Sequence, residues 1–167
     1  MNTPFDELVD YKNKIVNAIE SSQEIIDLLV GKQNVDLDSD AAYEVCNKQI
    51  LDYSFVVDTQ LTEHNLILID IETRSRPNYT YKNITVFIQI ICHKDSMRLK
   101  GFKGVKGNRR DNLARQIANL LDGRKDFGIG KLVFTECYVV SVPNPYSSLM
   151  VTFEVPNFVK GGNGNVG

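Results

Sequence analysis

One stretch of the chain, KNITVFIQIICH at residues 82–93, constrains the fold more than any other. Its residues alternate between two sets, and a period of two residues predicts a β-strand. The first set is wholly apolar: Ile84, Val86, Ile88, Ile90 and Cys92. The intervening residues are also fairly apolar: Thr85, Phe87, Gln89 and Ile91. We therefore expect a central strand, with helices on one face and more protein or another subunit on the other.

Four other runs predict the remaining strands. Strand-forming residues at 53–57 follow an acidic loop at 32–49, and a turn near 62–65 then leads to the run LILIDIETR at 66–74 as a hairpin. A closing hairpin joins KLVFTECYVVSV to SSLMVTFEV through the turn residues PNPY. In its last strand Leu149, Val151 and Phe153 should join the first apolar set in the core.

Helical spacing appears in three segments. Apolar residues at 4–20 predict an N-terminal helix, and the run SSQEIIDLLVGK predicts a second, with a serine as its cap and Gly31 as its end. The third helix should begin at the cap Asn108, with Asp111 reaching back toward it, and end near Gly123. Its apolar stripe is formed by Leu113, Ile117, Leu120 and Leu121.

These elements predict an α+β fold. Its centre is a mostly antiparallel sheet of four to five strands, with an N-terminal helical segment over 1–31 and one helix inserted before the closing hairpin. A chain of 167 residues fits one domain, which we assign to residues 1–158. Residues 159–167 should be a flexible tail, because four of the last seven residues are glycine.

The segment KGFKGVKGNRR at residues 100–110 departs from the rest of the chain, whose net charge is −2. Five cations and one aromatic side chain stand among three glycines there: Lys100, Phe102, Lys103, Lys106, Arg109 and Arg110. The slight negative charge argues against a general nucleic-acid binder. The glycines predict that residues 98–107 form a flexible basic loop.

We interpret this basic loop as an assembly contact that a neighbouring subunit orders by supplying acidic groups. A complementary acidic segment is available in an adjacent copy: Asp36, Asp38, Asp40 and Glu44. Two other interpretations stay open. The loop is also compatible with a solvated, flexible connection, and with an arm that contacts the phosphates of a nucleic acid.

No motif for catalysis, metal binding or a cofactor is present, so we expect a protein that is not an enzyme. The basic loop lacks the lysine and hydroxyl residue of a phosphate-binding loop, and Ala41 stands where a calcium loop requires glycine. His64 and His93 have no metal-binding spacing. The three cysteines are expected to be reduced, and Cys92 and Cys137 to be buried in strands. No secretion signal or membrane span is expected.

The run RRDNLARQIANLLDG, followed by GKLVFTECYVVSVPNPYSSLMVTFEVPNF, resembles the helix and closing strands of the tail terminator, or tail-completion, proteins of tailed bacteriophages. The resemblance covers residues 50–158 and concerns the pattern of elements, without a diagnostic motif. It implies a structural virion protein of the neck that is assembled in the host bacterial cytoplasm. Six copies would form a ring that terminates the tail tube and joins it to the head.

The resemblance also implies a set of partners. These are other copies of the chain, the tail tube protein, the sheath of a sheathed tail, and a head-completion or connector protein. DNA would pass through the ring without specific binding, and no catalytic residues are implied. The alternative to this head–tail joining role is a small anion- or nucleic-acid-binding module that uses residues 100–110.

Overall fold

The computed structural model describes residues 4–58, 61–75, 82–128 and 130–155. Its α-helices, in chain order, are α1 (Pro4–Glu20), α2 (Gln23–Val30), α3 (Asp40–Gln49) and α4 (Arg109–Leu121). Its strands are β1 (Ile50–Leu51), β2 (Asn65–Ser75), β3 (Lys82–His93), β4 (Val133–Val140) and β5 (Tyr146–Val155). A short 3-10 helix, Lys94–Ser96, follows β3.

The strands form one mixed sheet in the order β1–β2–β3–β5–β4. The short strand β1 is parallel to β2, and the other three pairings are antiparallel. β3 is hydrogen-bonded to β2 on one side and to β5 on the other, so it is the central strand that its alternation predicts. The α+β prediction is therefore confirmed, including the helix before the closing hairpin.

One face of the sheet, the inner face, packs against the helices and forms the main core. It includes every residue predicted to be core: Ile84, Val86, Ile88, Ile90, Leu149, Val151 and Phe153. α1 contributes Tyr11, Ile15 and Ile19 to the same core, and α4 contributes Leu113, Ile117 and Leu121. The spacing of three or four residues turns these side chains to one side of each helix.

The opposite face, the outer face, is covered over only half of its length within the described ranges. Val57, with Phe55 packed beside it, lies against Leu66, Leu68 and Ile91 in a second, smaller apolar cluster. The segment before β2 therefore covers the end of the outer face nearest His93. Depressions lined by polar and apolar side chains occupy the other half.

The region between α2 and β2 differs from its prediction. Residues 40–49 form helix α3 instead of a loop, because the Ser39 side chain accepts a hydrogen bond from the Ala42 amide and caps the first turn. Residues 53–57 are not a strand, and the predicted hairpin with 66–74 is wrong, since β1 runs parallel to β2. The strand-forming side chains of Phe55 and Val57 instead cover the sheet.

The predicted helix caps are largely confirmed. Ser22 caps α2, and Gly31 ends it in the left-handed conformation with a φ of 88°. Asn108 caps α4 by accepting a hydrogen bond of 2.8 Å from the Asp111 amide. The Asp111 carboxylate accepts from the Asn108 side-chain amide at 3.0 Å, so its contact with the cap is through the side chain.

The two strand cysteines have different environments. Cys92 is buried, and burial raises the pKa of its thiol to about 12. Cys137 is exposed on the edge strand β4, so the prediction that it is buried is wrong. β4 has a strand neighbour on one side only, and most of its residues are exposed, including Val139 at 69%. The predicted flexible tail, 159–167, lies outside the described residues.

Replacing Phe153 by alanine tests the position of the core. Phe153 is fully buried on β5 and makes an edge contact with the Phe134 ring, with centroids 6.0 Å apart. We expect Phe153→Ala to lower the free energy of unfolding by about 3 to 5 kcal/mol. Denaturant titration measures this loss, and a value below about 1 kcal/mol would contradict full burial.

Candidate assembly interface

The basic loop between β3 and α4 bends at each of its three glycines. Gly101, Gly104 and Gly107 have φ values of 77°, 74° and 93°, which are conformations that favour glycine over other residues. Leu99 and Phe102 are half-buried and pack against the main core. The loop therefore lies on the body of the chain and presents the side chains between its apolar residues to solvent.

Two side chains attach the loop backbone to neighbouring helical elements. Gln33, which follows α2, donates to the Lys103 carbonyl at 3.0 Å and accepts from the Lys103 amide at 2.9 Å. Asn112 of α4 donates to the Lys106 carbonyl at 2.9 Å. These bonds satisfy backbone groups that regular secondary structure would otherwise satisfy. The loop predicted to be flexible thus has defined attachment points near its middle and near its end.

The segment that carries Gln33 is itself organised by the buried carboxylate of Asp27. Asp27 accepts hydrogen bonds of 2.9 Å from the amides of Asn34 and Val35, and one of 2.8 Å from the Gln23 side chain. A carboxylate that accepts several such bonds recovers the solvation it loses on burial. Asp27 thus holds the turn after α2 in the position from which Gln33 reaches the loop.

Arg109 has an internal role that its sequence context did not predict. It is buried, and its guanidinium donates to the Ser96 carbonyl at 2.7 Å and to the Leu28 carbonyl near the end of α2. Helix C-terminal carbonyls carry partial negative charge and stabilise a cation. Burial lowers the pKa of Arg109, although an arginine keeps its charge. Arg109 joins the loop to α2 and is not presented to a partner.

Arg110 is also largely occupied within the chain. Its guanidinium pairs with the Asp111 carboxylate at 2.9 Å and donates to the Ser147 hydroxyl at 2.6 Å. By contrast, the ammonium groups of Lys100, Lys103 and Lys106 are exposed and form no ion pair within the described residues. Of the six residues proposed for the loop contact, these three lysines are the cations left available to a partner.

Two more exposed cations lie along the same segments, Lys32 beside Gln33 and Arg98 at the start of the loop. We call the five together the basic face: Lys32, Arg98, Lys100, Lys103 and Lys106. Their side chains project from a backbone that hydrogen bonds and apolar contacts hold. A prearranged set of like charges of this kind attracts an acidic surface before contact is made.

The predicted acidic segment begins three residues after Gln33 and is only partly available. The Asp36 carboxylate accepts from the Asp38 amide at 3.0 Å, and Asp40 lies in the first turn of α3. Glu44 pairs with Lys48, and the hydrogen bond and charge of Lys48 lower the pKa of Glu44. Within one chain the segment makes no ion pair with the basic loop among the described residues.

The described residues include no group of three or more His, Cys, Asp or Glu arranged to hold a metal ion. His64 and His93 stack with ring centroids 4.7 Å apart, at the end of the sheet. No helix in the described ranges has the length and apolarity needed to cross a bilayer.

The model of one protein family matches residues 22–155 of the chain. The chain belongs to the YomW family. The family takes its name from a phage-derived protein, and membership indicates that the chain is phage-associated. No curated protein and no solved structure gives a match. The matched residues include the basic loop, the turn after α2 and the whole described sheet.

The sequence alone did not predict the residues that anchor the loop. In the sequence, Gln33 and Asn112 resemble ordinary polar surface residues, because the loop carbonyl and amide groups that they bond come close to them only in the folded chain. Asp27 did carry a signal, since it interrupts the apolar run of α2 between Ile26 and Leu28. A charged residue inside such a run indicates a buried polar contact.

Arg109 and Lys106 provide a matched pair that tests the anchoring of the loop. Arg109→Met keeps an unbranched side chain but leaves the carbonyls of Ser96 and Leu28 without their charged donor, so we expect a loss of about 2 to 3 kcal/mol in unfolding free energy. Lys106→Met at the exposed position should change it by less than about 0.5 kcal/mol. Denaturant titration of both variants measures the difference, and equal stabilities would contradict an anchoring role.

Proposed function

We propose that this phage-associated protein is a structural virion protein of the neck. Copies of it form a ring, with six as the expected number, that terminates the tail tube and joins it to the head. The observation that carries the proposal is the basic face, whose lysines are exposed, lack ion pairs within the described residues and project from a fixed backbone. Family membership supports the phage association, and the resemblance of its closing elements to tail terminators supports the neck role.

The electrostatics favour a protein partner for the basic face. The chain as a whole carries a net charge of −2, so another copy offers acidic surface to which lysines are attracted. Because the loop backbone is fixed by Gln33 and Asn112, little conformational entropy is lost when a partner binds. The proposed partners beyond other copies are the tail tube protein, a sheath protein and a head-completion protein. The role requires no catalysis and no cofactor.

The alternative function is binding of anions or nucleic acid through residues 100–110. The same three exposed lysines favour it, because ammonium groups at the surface attract phosphates. The two functions differ in what the lysines are needed for. If the role is assembly, loss of the lysines should lower the mass of the particle that forms. If the role is nucleic-acid binding, their loss should lower an affinity for nucleic acid that falls steeply with salt.

Reversing the loop charges tests the proposal. We expect Lys100→Glu, Lys103→Glu and Lys106→Glu in one chain to abolish ring formation and tail joining, while the melting temperature changes little. The reason is that exposed cations contribute little to the stability of the fold but much to recognition. Analytical ultracentrifugation and negative-stain imaging measure the assembly, and tail completion is scored in a phage complementation assay.

A matched control separates this effect from the change in net charge. Lys125 and Lys131 are also exposed, and they lie beyond the C-terminal end of α4, away from the loop. Reversing both to glutamate should leave rings intact, in contrast to reversal of Lys100 and Lys103 alone. Normal rings and tails from the loop variant would rule out the assembly role. Loss of only a salt-sensitive DNA affinity would favour the nucleic-acid alternative.

A further inference from the structure

The uncovered half of the outer face carries a surface that the proposed ring role has not used. It consists of two adjoining depressions of about 300 and 310 Å³ that share Glu72 of β2 and Phe87 of β3. Met150 lies in the first, and Tyr138, Glu136 and Glu154 lie in the second. Apolar and aromatic side chains thus lie beside carboxylates on a rigid sheet. We call this surface the acidic face.

Two carboxylates of the acidic face are available to a cation. Glu136 of β4 and Glu154 of β5 are exposed, and neither forms an ion pair within the described residues. Asp70, at the margin, is already engaged by Lys12 at 3.1 Å and by the Ser54 hydroxyl at 2.7 Å. No lysine or arginine is among the residues that line the two depressions in the described part of the chain.

The acidic face and the basic face lie on opposite sides of the sheet. The basic loop is attached to α2 and α4, which pack on the inner face, whereas Glu136 and Glu154 line a depression on the outer face. Two opposite charged surfaces separated by the sheet cannot meet within one chain. They can meet between copies in a head-to-tail contact, and such a contact closes into a ring when its rotation allows.

We infer that the acidic face is the docking surface for the basic loop of a second copy of this chain. The inference rests on the proposed ring-forming function and names the acceptor surface for its lysines. Charge complementarity supports it, since the loop carries exposed lysines and the acidic face carries exposed carboxylates, and neither set forms ion pairs within the described residues. The depressions also offer apolar contact from Phe87, Tyr138 and Met150 to the stems of those lysines.

A charge-swap experiment tests the inference directly. The face variant carries Glu136→Lys and Glu154→Lys, and the loop variant carries the three lysine reversals at 100, 103 and 106. Alone, each should associate about tenfold or more weakly than the parent, because like charges meet at every contact. Mixed in equal amounts, they should recover the parent particle mass, because every contact then pairs opposite charges.

A second mixture provides the control. An acidic-segment variant with Asp36→Lys and Asp38→Lys should not rescue the loop variant, because that segment is not the acceptor. Sedimentation at low and high salt measures all mixtures, and circular dichroism confirms that each variant is folded. Glu136→Gln with Glu154→Gln gives a milder form of the face variant, in which association weakens without repulsion.

The outcomes distinguish this inference from the proposed function. A parent protein that stays monomeric at every salt concentration would overturn the ring itself. Rings formed normally by the face variant would overturn only the inference, and would leave the acidic face to the C-terminal residues of the chain or to a different protein. Rescue of the loop variant by the acidic-segment variant would likewise overturn it and assign the acceptor to residues 36–44.

Discussion

The central strand β3 is the constraint on which the rest of the structure depends. It exchanges hydrogen bonds with β2 and β5 along its length, so its register fixes both neighbours. Its two sets of side chains then set two different surfaces. Ile84, Val86, Ile88 and Ile90 require a helical layer above them, and burial of such side chains contributes about 1.5 to 3 kcal/mol each. The intervening side chains point to the outer face, and only the most apolar of them need to be covered by other parts of the chain. The rest of the outer face can therefore make polar contacts.

The basic loop illustrates how buried polar groups in one place prepare a surface in another. Asp27 orders the turn after α2, that turn presents Gln33, and Gln33 bonds the loop at Lys103. Arg109 joins the same loop to α2 through the Leu28 carbonyl. A loop ordered before binding loses less entropy on association than a free arm would. The glycines are needed for the bends of this arrangement, since all three adopt positive φ.

The sequence predicts the sheet better than the elements that cover it. Alternation over residues 82–93 and 146–155 is a local signal, and the caps at Ser22 and Asn108 are local hydrogen bonds, so both could be found without a structure. The strand predicted at residues 53–57 is wrong because strand-forming side chains also suit a segment that packs on the face of a sheet. Arg109 could not be distinguished from the lysines around it, because its burial depends on α2, some 80 residues earlier in the chain.

The distribution of charge explains how a nearly neutral chain can still have strong electrostatic preferences. A net charge of −2 argues against binding to an extended polyanion, yet it says nothing of local surfaces. Here the cations near the basic loop gather on the helical side of the sheet, and Glu136 and Glu154 lie on the other. A chain with opposite charges on opposite sides is attracted to its own copies in one orientation and repelled in the reverse one. That directionality is what a head-to-tail contact needs in order to repeat around a ring.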